Sequence, residues 1–247
     1  MGGFINSALG WQIIFAVSVL QGALLLMLTL KLVPHQAQQT QRPSFRENLS
    51  QYRSLLKDRD FRTYAIANTL VAICFYIFVS SSPYIADTFD GGIHAYGYWF
   101  MSISIAFMVG GYLSTLINQY LTLDKTIAIG NTISLLGALL LLLTQVFLDS
   151  GYAALFLPMC LVTFGRGISQ PTNQTAAIAS ITSQSSMAAG LMGFLQLLSG
   201  AVFAQFIPLI VTNFPTLVFW LIFTCMSLAI WLHLRHWSQS SKQIENT

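Results

Sequence analysis

The chain has 247 residues, 55% of them hydrophobic and 8% charged, with a formal net charge of +3. A soluble domain carries about 25% charged residues, because water must wet its surface. A water-soluble globular fold is therefore excluded, and lipid is expected to cover the protein. The basic excess gives no argument for nucleic acid, since membrane topology accounts for where those residues stand.

A helix needs about 20 mostly apolar residues to cross the hydrocarbon core. Seven segments reach that length: 11–31, 63–86, 97–121, 126–148, 152–178, 187–211 and 215–235. Lipid cannot satisfy loose backbone groups, so each span must be helical. The runs are continuously apolar and do not alternate with period two, which excludes a β-barrel. The first segment lacks a basic leading region and a cleavage site, so it reads as a span and not as a signal peptide.

Residues 34–60 form the one long polar loop. "PHQAQQTQRP" reads as a flexible linker. "SFRENLSQYRSLLKDRD" reads as a short amphipathic helix, with Ser44 and Glu47 at capping-box spacing. Phe45, Leu49, Tyr52, Leu55 and Leu56 fall on its apolar face, and Arg46, Arg53 and Lys57 add basic charge. Two readings stand here: a solvated loop that sets topology, or a helix lying on the inner leaflet.

The second span offers Asn68, Phe75, Tyr76 and Ser80 to Ser82, with Pro83 expected to kink or end it. Met101 and Met108 in the third could add adaptable surface. The fifth contains Arg166, followed by Gln170, Pro171, Asn173 and Gln174. No Asp, Glu, Lys or Arg occurs from Gly167 to Leu234, so the arginine is isolated in an apolar region. If the span stops at Pro171, Arg166 is in its last turn and snorkels to the headgroups. If it runs from Tyr152 to about Ser180, Arg166 sits at its midpoint and must face a wet cavity or a partner. In the sixth span, Gly190, Gly193 and Gly200, with Ala189 and Gly193 at small-xxx-small spacing, predict close helix approach. Gln196 there suits an interhelical hydrogen bond or a cavity contact. Ordinary helix packing remains the alternative for the polar and aromatic residues of the second span and for the two methionines.

Seven of the eleven Lys and Arg lie between Lys31 and Arg62. Lys125 marks the loop between the third and fourth spans, and Arg235 and Lys242 follow the seventh. The intervening loops hold Asp87, Asp90 and Asp149 and no basic residue. By the positive-inside rule the amino terminus is outside and the carboxyl terminus cytoplasmic. A multi-pass protein of the cell (inner) membrane is expected. Enzyme chemistry finds no support, and no catalytic residue, metal site or cofactor is expected. The histidines at 35, 94, 233 and 236 lie in loops or span ends without HExxH, and Walker-type motifs are absent. Cys74, Cys160 and Cys225 lack CxxC spacing and read as small buried hydrophobes.

Four stretches, taken in order, carry a family resemblance. "GWQIIFAVSVLQGALLLMLTLKLVP" opens on Gly-Trp, and "YRSLLKDRDFRTYAIANTLVAICFYIFVSSSPYIADTF" ends in Ser82, Pro83 and Tyr84. "SQPTNQTAAIAS" holds Pro171 and Asn173, and "AAGLMGFLQLLSGAV" holds Gly190, Phe194, Gln196 and Gly200. They resemble the sixth, seventh, tenth and eleventh helices of the major facilitator superfamily, and within it the Bcr/CflA-type drug:proton antiporters. The resemblance implies an all-α integral membrane fold: seven transmembrane helices, made of the carboxyl-terminal half plus the preceding helix. It divides the chain into a first helix (1–33), a cytoplasmic linker (34–60), a six-helix transporter half (61–236) and a tail (237–247). The expected partners are the lipid bilayer, a small amphipathic substrate and a separate amino-terminal half, and not nucleic acid.

The implied function is transmembrane transport of small amphipathic molecules, resembling multidrug efflux by proton antiport. Asn68, Phe75, Tyr76, Arg166, Gln170, Asn173 and Gln196 are the expected cavity-lining residues. The family's first five helices, its Gly-rich Asp/Arg loop, its fifth-helix Gly-Pro motif and its embedded first-half acids have no counterpart here. No Asp or Glu lies within a span, so these residues supply no obvious proton carrier. The expectation is a truncated or split transporter half. An inactive remnant, or a membrane interaction partner, is the alternative. A seven-helix receptor or photoreceptor is remote: residues 215–233 hold no Lys for a Schiff base, and Asp-Arg-Tyr and Asn-Pro-x-x-Tyr are missing.

Overall fold

The computed structural model describes residues 11–32, 45–89, 92–147, 151–181 and 184–245. The elements are α1 (Trp11–Leu32), α2 (Phe45–Lys57), α3 (Arg59–Ala86), α4 (Gly92–Ile117), α5 (Leu123–Phe147), α6 (Tyr152–Ala179), α7 (Ser185–Asn213) and α8 (Pro215–Glu245). Among the described residues there is no strand, and seven helices are long and apolar enough to cross a membrane. The chain is an all-α, multi-pass membrane protein.

Two compact units divide it, Met1–Arg46 and Glu47–Thr247. In the first, α1 is a 22-residue apolar helix without proline, ending on Lys31 in its last turn. At 1.5 Å per residue it is about 33 Å long, enough for one crossing.

In the second unit, α2 ends at Lys57 and Asp58 starts the next helix. The Asp58 carboxylate accepts from the backbone N–H of Phe61 at 2.8 Å, satisfying one of the free donors at the start of α3. Leu55 of α2 is buried with Phe61, Tyr64, Ile127, Ala176 and Met192, while Leu49, Tyr52 and Leu56 remain exposed. The putting-together of the larger helices follows a ring. α3 packs on α8, α8 on α5, α5 on α6, and α6 back on α3. α4 lies against α6, and α7 against α3. The ring encloses an apolar core that includes Ile77, Phe78, Leu141, Phe156, Met159 and Ile222.

Close backbone approach fixes α6. A Cβ added at Gly130 would lie 2.7 Å from the Gly165 carbonyl oxygen, and one at Gly137 would lie 2.6 Å from the Val162 nitrogen. On the other side, a Cβ at Gly110 would collide with the Phe164 carbonyl and sit 3.1 Å from the Gly167 Cα. Only glycine admits helix axes this close in a bilayer.

The ends of α4 and α8 differ from the sequence expectation, and the two prolines expected to kink or end their spans leave α3 and α6 running to the expected limits. α4 stops at Ile117 instead of 121, because Asn118 to Leu121 fold into a turn and the Asn118 amide donates to Thr172 at 3.0 Å. α3 runs through Pro83 to Ala86, one turn past the proline. α6 runs through Pro171 to Ala179, so the proline does not end it. α8 reaches Glu245, ten residues beyond its apolar part. The small-residue motif on α7 also differs: a Cβ at Gly190 or Gly193 meets nothing within 4 Å. Phe194 and Leu197 on that stretch are exposed. Composition alone cannot say which small-residue stripe meets a helix, and here the stripe in contact is that of α5.

Candidate functional site

Arg166 is the fifteenth of the 28 residues of α6. Its Cα lies about 20 Å from either helix end at 1.5 Å per residue, so it is at mid-span. Snorkelling from a last turn at Pro171 does not apply. Placing an arginine at that depth costs at least about 2.5 kcal/mol against lipid, and the protein offsets this by local contacts.

The flanking glycines set its direction. Successive helix residues are about 100° apart. Gly165 faces α5 and Gly167 faces α4, each at a backbone contact that leaves no room for a side chain. Arg166, between them, is thereby turned out of both contacts and toward α3. Its guanidinium carbon lies 4.3 Å from the Phe75 ring centroid on α3 and 5.2 Å from that of Phe107 on α4. A desolvated cation over an aromatic face gains about 2 kcal/mol. Its Nε donates to Gln170 Oε1 at 2.8 Å, one turn along the same face. Among the described residues no carboxylate lies within 4 Å of it, and the guanidinium makes no other hydrogen bond.

Chain alternation makes α3 and α6 antiparallel, which sets the level of the remaining residues. Asn68 is seven residues before Phe75, and Asn173 seven after Arg166. Two helical turns in opposite chain directions bring both to one level, about 10 Å from the guanidinium. Both asparagines are buried, and neither amide has a partner among the described residues. Beside Asn173, Thr172 bonds Ser114 at 2.8 Å and tethers α6 to α4. Tyr76 lies against α7, where a Cβ at Gly200 would come within 2.8 Å of its ring. Gln196 is one turn before Gly200 on the same face, and its Nε2 is buried without a described partner.

Of the expected residues, the structure therefore joins Arg166, Gln170 and Phe75 by direct contact. Asn68 and Asn173 form a second polar level. Tyr76 and Gln196 sit on the α3–α7 side, with no contact to Arg166 among the hydrogen bonds or ring contacts. Met101 and Met108 are exposed on α4. Phe107 was not among the expected residues, because one phenylalanine in an apolar span carries no distinguishing signal. The Gly165–Arg166–Gly167 triplet did carry one, since small residues flanking a charge mark a pinned helix.

A second polar cluster gathers where α3 and α5 begin and α8 nears its end. The Tyr64 hydroxyl donates to Asp124 Oδ1 at 2.8 Å. His233 Nε2 lies 3.0 Å from the Asp124 carbonyl and His236 Nε2 lies 2.8 Å from Asp60 Oδ1. Both partners are acceptors, so both rings carry the proton on Nε2. Both histidines are buried, and the Tyr64 ring stands edge-on to His236 at 5.3 Å. Among the described residues no group of three or more His, Cys, Asp or Glu could hold a metal ion. Cys74, Cys160 and Cys225 are free, and the Cys74 thiol donates to the Leu70 carbonyl at 3.3 Å.

No curated protein matches the chain. A family model described as the Major Facilitator Superfamily matches residues 1–204.

Proposed function

The chain belongs to the Major Facilitator Superfamily, and we propose that it transports small amphipathic molecules through a site centred on Arg166, in the manner of multidrug efflux by proton antiport. As a member of a transporter family, with seven helices among the described residues long and apolar enough to cross a membrane, it is a membrane transporter in general terms. The observation that carries the finer reading is a mid-span cation, stacked on two aromatic rings, with no described carboxylate to neutralise it. Such a group is expensive in lipid and is expected only where a cavity or ligand uses it. Aromatic walls suit apolar, drug-like bodies, since rings supply contact area without fixed polar geometry.

In this proposal the chain supplies the carboxyl-terminal portion of the transporter, and a complementary helical bundle closes the face beside Arg166. The Arg59 end of α3 faces the cytoplasm and the membrane is the cell's inner one. The distribution of Lys and Arg supports the orientation. The test is uptake of naphthyl amphiphiles of different charge into inverted membrane vesicles under an imposed proton gradient. The chain is expressed with and without a separate amino-terminal facilitator half. Uptake that an uncoupler abolishes supports the proposal. No gradient-driven uptake of any compound, with or without the added half, removes it.

A further inference from the structure

We propose that Arg166 is an anion-binding residue, so that the transported molecules include aromatic compounds bearing a carboxylate or sulfonate. The inference rests on the transport reading above and adds the charge of the substrate to it.

Three features of the site support it. A guanidinium keeps its proton in proteins, and none of the described acidic side chains lies within 4 Å of this one. Asp58, Asp60 and Asp124 stand at one end of the bundle and Asp87 at the other, so their charges are spent far from mid-span. The guanidinium is also held in one orientation. Gln170 takes Nε, and Phe75 and Phe107 lie against its faces. What remains free is the edge carrying the two terminal amino groups, a planar fork that matches a carboxylate or sulfonate with two parallel hydrogen bonds. Finally, the surroundings are aromatic, and Phe107 beside the guanidinium is part-exposed, so a ring attached to the anion has an aromatic edge to pack against.

The test is equilibrium binding to the full chain in lipid nanodiscs, measured in excess of protein-free discs. The probes are 2-naphthoate, neutral 2-naphthamide and 2-naphthylmethylammonium. The wild type is expected to bind naphthoate at least roughly tenfold more tightly than naphthamide, as a charge-assisted pair supplies, and the ammonium compound least. Arg166→Gln should abolish the preference, so that naphthoate binds no more tightly than naphthamide. Arg166→Lys keeps the charge but loses the fork, so it should weaken naphthoate alone; it carries the test if the glutamine variant fails to insert. Equal affinity of the wild type for naphthoate and naphthamide overturns the anion assignment and leaves the transport reading standing. A charge preference that survives Arg166→Gln overturns it as well. Failure of all three compounds to bind contradicts the cavity reading itself.

Discussion

Two polar regions lie in the same helical bundle and are built in opposite ways. Where α3, α5 and α8 meet near Asp124, each side chain reaches a partner on another helix: Tyr64 with Asp124, His233 with the Asp124 carbonyl, His236 with Asp60, while Nδ1 of each histidine is buried without a partner among the described residues. At mid-span, Arg166 has a partner only on its own helix, and its neighbours on α3 and α4 are rings. The first arrangement uses polarity to join helices. The second holds a charge in place without neutralising it. A hydrogen bond between helices ties them together, so the three bonds of the end cluster are a fastening and the Arg166–Gln170 bond, within one helix, is not.

That contrast separates stability from selectivity, and substitutions should divide along it. The largest stability loss is expected from Gly165→Leu. A side chain there meets the Ser134 nitrogen at 2.6 Å, so α5 and α6 must part. Overpacking of this kind costs about 3 kcal/mol, to be read as a lowered unfolding midpoint in detergent. His233→Leu comes next. It removes the bond from His233 to the Asp124 carbonyl and changes the packing of a fully buried ring position, for a loss of about 2 kcal/mol with charge preference in naphthyl binding unchanged. Tyr64→Phe removes one hydrogen bond to a carboxylate and should cost about 1.5 kcal/mol by the same assay. Phe107→Leu should alter stability least, by about 0.5 to 1 kcal/mol, yet weaken naphthoate binding measurably. If His233→Leu changed charge preference, or Phe107→Leu left all naphthyl binding untouched, the division between the two regions would fail.

Much of the fold was legible in the sequence because a bilayer imposes simple rules. Length and apolarity marked the seven spans, and their absent alternation excluded strands. The ends were harder. Asn118, Gln119 and Tyr120 are polar, and carrying the span on to 121 overran them; the chain turns there and Asn118 bonds across to Thr172 on α6. Arg166 stood out as an isolated charge, and Gln170 followed from four-residue spacing. Its depth did not follow, because a proline five residues on is compatible with either a helix end or a continuous helix. Phe107 was invisible for want of contrast with its neighbours. The histidine cluster joins residues 109 and 176 positions apart, so only the fold could bring it together. Of the glycines of α7, Gly200 does lie close against the Tyr76 ring, whereas the other two misled. Gly190 and Gly193 have the spacing of a contact face, but their neighbouring space is open.

The account stands on Arg166 serving the transported molecule and not the topology of the membrane. The most direct measurement is gradient-driven uptake of naphthoate by Arg166→Ala in inverted vesicles, with insertion of the same variant followed by protease accessibility of its loops. Loss of a charge-assisted pair predicts uptake reduced by roughly tenfold or more, with the protease pattern of the wild type. Wild-type uptake by a correctly inserted Arg166→Ala variant would contradict it.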